Sequence, residues 1–63
     1  MIITQKELIA KGHTLVSAQN ALQRATLDAI NSGYKVVRVS DTVTDNRQRT
    51  RRIIREVRIM EAV

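Results

Sequence analysis

No cysteine, proline, phenylalanine or tryptophan occurs in this sequence, and tyrosine appears once, at Tyr34. The lack of cysteine excludes disulfides and thiolate metal sites. With aromatic bulk nearly gone, a core has to be assembled from Ile, Leu, Val, Met and Ala. The 63 residues suffice for a single domain over residues 1–63, and a chain of that size hides only roughly 60% of the surface its unfolded form exposes. A partner chain or a ligand would then add stability, so homo-oligomerisation is expected. No stretch approaches the roughly 20 apolar residues that cross a bilayer, and Met1 to Lys6 lacks the apolar run of a secretory leader. These features predict a cytoplasmic protein with no membrane partner.

Catalytic groups are as sparse. His13 is the one histidine, and no Asp or Glu is spaced to complete a metal site with it. There is no Gly-rich phosphate loop. Asp41 and Asp45 fall on a predicted hairpin rather than in a cleft, and only His13, four residues before Ser17, lies near a hydroxyl in sequence. No enzyme activity, metal or cofactor is expected.

What is present in quantity is arginine. Lysine and arginine number 11 against 6 acids, a net charge of +5, and the sequence pI is near 10.8. Arg47, Arg49, Arg51, Arg52, Arg55 and Arg58 follow one another against a single acid, Glu56. Such a concentration on a small domain is the electrostatic footprint of a nucleic-acid binder. The plainer reading is a solvated basic face.

Local signals divide the chain. Thr4-Gln5-Lys6-Glu7 is a capping box, with Ile3 and Leu8 placed as a hydrophobic staple, and a short helix is predicted to end at Gly12. An edge strand from Ile2 to Ile9 is the alternative. From Thr14 to Ser32 a longer helix is predicted, with Leu15, Ala18, Leu22, Ala25 and Ala29 on one stripe and Gly33 closing it. The rest is β-branched. Val37, Val39 and Val43 share one face of a strand, as do Ile53, Val57 and Ile59 of the next. Matching those faces pairs Val43 with Ile53, Val39 with Val57 and Val37 with Ile59, leaving Thr44 to Arg52 as an exposed tip. A tighter turn centred on Asp45-Asn46 and a helical reading of residues 53–61 are the alternatives.

Two helices joined by Gly12-His13-Thr14 and followed by a basic hairpin describe an α+β, winged-helix-like domain. In that arrangement the second helix enters the major groove and the wing lies on the backbone. Thr14, Ser17, Asn20, Gln23 and Arg24 would then face double-stranded DNA, with Asn and Gln able to reach adenine and Arg guanine. Arg47, Arg49, Arg51 and Arg52 would meet phosphates.

The run Thr4 to Gly12, then Ser17-Ala18-Gln19, Ala25, Ile30 and Gly33-Tyr34, resembles the opening of excisionase-like helix-turn-helix proteins of conjugative transposons and related mobile elements. The resemblance covers about half the chain. It implies a sequence-preferring DNA-binding accessory or regulatory factor, encoded by a phage or mobile element, that serves a recombinase. Beyond Tyr34 that family's short Asn-Lys-Arg-x-Gly-Arg loop is replaced by a longer hairpin.

Two other readings compete. If Ile2 to Ile9 is a strand, the order becomes strand, helix, strand, strand, as in an oligomeric binder. Asn20-Ala21-Leu22, Arg24-Ala25 and Tyr34 are then similar to dodecins, although Ile53 stands where their flavin-stacking glutamine would be. The third reading is a small phage-type interaction protein docking on an acidic protein partner.

Overall fold

Thr4 ends a strand and begins a helix in the computed structural model, which describes residues 1–61. The elements are β1 (Ile2–Thr4), α1 (Gln5–Ala10), α2 (Leu15–Asn31), β2 (Lys35–Thr44) and β3 (Thr50–Met60). The three strands form one antiparallel sheet in the order β1-β3-β2. The architecture is α+β, with two helices and a three-stranded sheet. Among the described residues no helix is long and apolar enough to cross a membrane.

Both helices begin and end on the predicted residues because their signals are local. Thr4 Oγ1 accepts the Glu7 amide at 3.2 Å, and Thr14 Oγ1 accepts the Ser17 amide at 3.1 Å, each satisfying an otherwise unpaired first-turn N–H. Both C-termini close in the same way. Gly12 (φ +108°) and Gly33 (φ +87°) hold the left-handed conformation. Their amides donate to Ile9 and Ile30, while the amides of His13 and Tyr34 reach back to Leu8 and Ala29. These are Schellman motifs, which leave few carbonyls open at a helix end. The strand alternative for Ile2 to Ile9 is thereby corrected: extended backbone stops at Thr4, where the cap turns the chain into α1. The helical alternative for 53–61 gives way to β3 over Thr50–Met60.

The core is small. Ala18, Leu22 and Ala29 of α2 pack against Val57 of β3, and Leu22 and Val57 are fully buried. Thr26 is buried beside them, its hydroxyl donating to the Leu22 carbonyl at 2.9 Å. Small side chains on this stripe bring the helix close to the sheet. Leu15 and Ile30, expected on or beside the stripe, are 39% and 54% exposed.

The hairpin register differs from the expectation. Val37 lies opposite Arg58, Val39 opposite Glu56 and Val43 opposite Arg51. Val36 pairs with Ile59, Arg38 with Val57, and Asp41 with Ile53. A one-residue slip turns every side chain to the other face, so that Val36 and Arg38, and not Val37 and Val39, lie on the helix side of β2. Val57 decides between the two registers. It is claimed by α2 and also pairs with Ile3 of β1, so Ile3, Val57 and Arg38 form one row on the helix side. A further shift between Val39 and Ser40 leaves Arg55 as an extra residue on β3, a β-bulge.

The exposed tip is also shorter than Thr44 to Arg52, because the ladder extends out to Thr44 and Thr50. The five residues between are held by Asp45, whose Oδ1 accepts the amides of Arg47 and Arg49, each at 2.9 Å. Gln48 takes the left-handed conformation at φ +59°. The tighter turn centred on Asp45-Asn46 is excluded, since Arg52 faces Thr42 and not Val39.

One contact across the fold was not foreseen. Where β1 stops, the edge of β3 would be bare, and Gln19 covers it as a substitute strand. Its Nε2 donates to the Ile54 carbonyl at 2.7 Å and its Oε1 accepts the Ile54 amide at 2.8 Å. Leaving a part-buried pair of backbone groups unmet costs about 1–3 kcal/mol. Gln19→Ala is therefore expected to lower stability by about that amount and to speed hydrogen exchange at the Ile54 amide. Unchanged exchange there would refute the bracing role.

Candidate nucleic-acid interface

The hairpin projects from the helices. The Cα radius of gyration is 12.8 Å and the extents are 44 × 24 × 15 Å, whereas a compact chain of this length would have a radius near about 10.6 Å. The arginines are carried on this projection. Arg47 and Arg49 sit in the turn, their backbones fixed by Asp45, and Arg51 and Arg52 follow on β3. All four are exposed.

Ion pairing separates the six arginines into two groups. Arg58 Nε meets Glu56 at 2.8 Å and Arg55 meets Asp41 at 3.5 Å. Both pairs are solvent-facing and worth at most about 1 kcal/mol, but they partly neutralise the base of the hairpin. Among the described residues no carboxylate pairs with Arg47, Arg49, Arg51 or Arg52. Arg38 of β2 and Arg24 of α2 likewise have no carboxylate partner among the described residues, so the unneutralised charge is densest at the tip but is not confined to it.

The residues expected on α2 are placed more unevenly. Asn20, Gln23 and Arg24 are exposed along the outer side of the helix. Thr14 is engaged as the N-cap, and Ser17 Oγ lies 2.7 Å from His13 Nδ1, so these two polar groups already have partners. An open groove of about 610 Å³ runs along this side, between His13 and Asp28, with Asn20 and Arg24 in its lining. A smaller groove of about 250 Å³ lies between α2 and the hairpin, lined by Leu15, Val16, Gln19 and Asn20 on one side and Arg51, Arg52 and Ile53 on the other. The structure thus brings Asn20 together with Arg51 and Arg52, across more than thirty sequence positions. Arg47 and Arg49 do not line this groove.

Sequence reasoning missed the apolar members of this surface. Val16 is 70% exposed and Leu27 54% exposed on the same helix side as Asn20 and Gln23. The signal was available, since 16, 20, 23 and 27 recur at helical spacing opposite the buried stripe. Apolar side chains in such a place can meet the methyl group of thymine.

The chain belongs to a family whose model, described as "Domain of unknown function (DUF7540)", matches residues 3–62. No curated protein and no solved structure matches the chain.

Proposed function

We propose that the protein binds double-stranded DNA as a winged-helix-like module, with the outer side of α2 in the major groove and the β2–β3 hairpin on the adjacent backbone. The observation that carries this reading is the run of four exposed arginines at the hairpin tip for which no carboxylate partner occurs among the described residues, two of which share a groove with the first turns of α2. The connection between the helices, Lys11 to Thr14 with Gly12 at its bend, has the length usual for a helix-turn-helix. Arg47, Arg49, Arg51 and Arg52 supply attraction to phosphate, which positions the protein without choosing a sequence. Asn20, Gln23 and Arg24 supply the base contacts, and Thr14 and Ser17 border them. The protein is a binding factor in this reading and not an enzyme. The resemblance of its first half to excisionase-like proteins supports an accessory or regulatory role on a phage or mobile element, beside a recombinase.

Titrating a duplex into isotopically labelled protein tests the placement. Amide shifts are expected at Asn20, Gln23 and Arg24 and from Arg47 to Arg52. Shifts confined to the far end of the sheet, or none at low salt, would contradict it. Binding to an acidic protein with no response to duplex would favour the docking reading instead.

A further inference from the structure

The outer side of α2 carries a stripe in which amides and aliphatic side chains follow a fixed order. Val16, Asn20, Gln23 and Leu27 recur four, three and four positions apart, so they stand one above another along the helix. All four are exposed, Val16 by 70% and Leu27 by 54%. Two amides therefore stand between two aliphatic side chains that the fold leaves uncovered. From Val16 to Leu27 the stripe runs about 16 Å, the length of roughly five base-pair steps.

We propose that this stripe selects A·T pairs, with Val16 and Leu27 on thymine methyl groups and Asn20 and Gln23 on adenine. The inference rests on the placement of α2 in the major groove under the proposed function. In that groove an A·T pair presents the N7 acceptor and N6 donor of adenine beside the C5 methyl of thymine. A carboxamide matches the first two with its own donor and acceptor, and an aliphatic side chain matches the third. A G·C pair has no methyl group, and its guanine presents two acceptors. The carboxamide oxygen would then face an acceptor, and Val16 and Leu27 would gain no apolar contact.

The charges beside the stripe favour a nucleic acid over an apolar protein surface. On one flank, Arg51 and Arg52 line a groove with Val16 and Asn20. On the other flank, Arg24 lines a second groove with the same two residues. No carboxylate partner of these three arginines occurs among the described residues. Asp28 is the one acid lining either groove, and helical spacing puts it on the far side of Arg24 from the stripe. A ridge of amide and aliphatic groups with cations on both sides fits a groove with methyl groups on its floor and phosphates along its walls. A purely apolar protein surface would leave those cations unmatched.

Fluorescence anisotropy on full-length protein, with three duplexes of equal length at one salt concentration, tests this inference. One duplex is built of A·T pairs in mixed order, one has the same order with deoxyuridine for thymidine, and one is built of G·C pairs. Runs of adenine are left out, so that a narrowed minor groove does not contribute. The A·T duplex is expected to bind at least about tenfold more tightly than the G·C duplex. Deoxyuridine removes only the methyl groups, and the expected loss is about fourfold per methyl, or about fifteenfold for two. The double substitution Val16→Ala with Leu27→Ala is expected to lose most of that difference while keeping the salt slope of the wild type. Both side chains are exposed, and an unchanged far-ultraviolet spectrum checks that the variant is folded. Equal affinity for the A·T and G·C duplexes, or a deoxyuridine penalty that persists in full in the double variant, would overturn the A·T reading. DNA binding itself would still stand in either case if the salt slope stays steep. Binding to none of the duplexes at low salt would overturn both.

Discussion

Replacing Arg47, Arg49, Arg51 and Arg52 together with alanine is expected to weaken binding to duplex DNA on the order of 10³-fold at about 0.1 M salt. The magnitude follows from counterion release. Each phosphate neutralised adds about −0.9 to the slope of log K against log salt, so four lost contacts flatten it by about 3.6. Extrapolated from about 1 M, where the electrostatic term vanishes, that slope gives the stated loss at about 0.1 M. The substitution leaves the fold intact, because all four side chains are exposed and Asp45 holds the turn through backbone amides. Asn20→Ala behaves differently. If Asn20 contacts a base as proposed, its loss is expected to lower affinity for a preferred site by about 1–3 kcal/mol and to leave the salt slope unchanged. Competition binding against a mixed-sequence duplex at two salt concentrations distinguishes these effects.

Leu22→Ala is expected to unfold most of the protein. Leu22 is fully buried between α2 and the sheet, and truncating such a leucine costs about 2–5 kcal/mol. Cores of this size rarely supply more than about 3–5 kcal/mol in total. Urea titration followed by circular dichroism measures the difference. A loss under about 1 kcal/mol would mean that the packing of α2 on Val57 is not what holds the domain together.

Helix ends were legible from the sequence because their determinants are contained within a few residues. Thr4, Thr14, Gly12 and Gly33 act on neighbouring amides and carbonyls, and these positions came out as expected. The capping box was only half realised: Thr4 accepts from Glu7, but no return bond from the Glu7 side chain occurs among the described residues. The sheet was less legible. β1 spans three residues and exists only because β3 lies beside it, a non-local fact. The register depended on which of two adjacent valines faced the helix, and on a bulge at Arg55 that no residue type announces. Gln19 reads as an ordinary polar helix residue until β3 is seen to need a partner at Ile54.

The candidate site was legible in composition but not in geometry. Six arginines in sequence predicted a basic hairpin, and the hairpin is present. Which of them keep an unneutralised charge could not be read from the sequence, because Asp41 reaches Arg55 only through the bulged register. That Asn20 lines one groove with Arg51 and Arg52 likewise depends on how α2 lies across β3.

The salt dependence of wild-type binding to a mixed-sequence duplex, followed by fluorescence anisotropy, is the measurement closest to the account. With at least the four guanidinium groups of the hairpin tip on phosphate, log K is predicted to fall linearly with log salt at a slope of about −3.6 or steeper. A flat line, or no detectable complex at low ionic strength, would contradict a polyanion-binding hairpin.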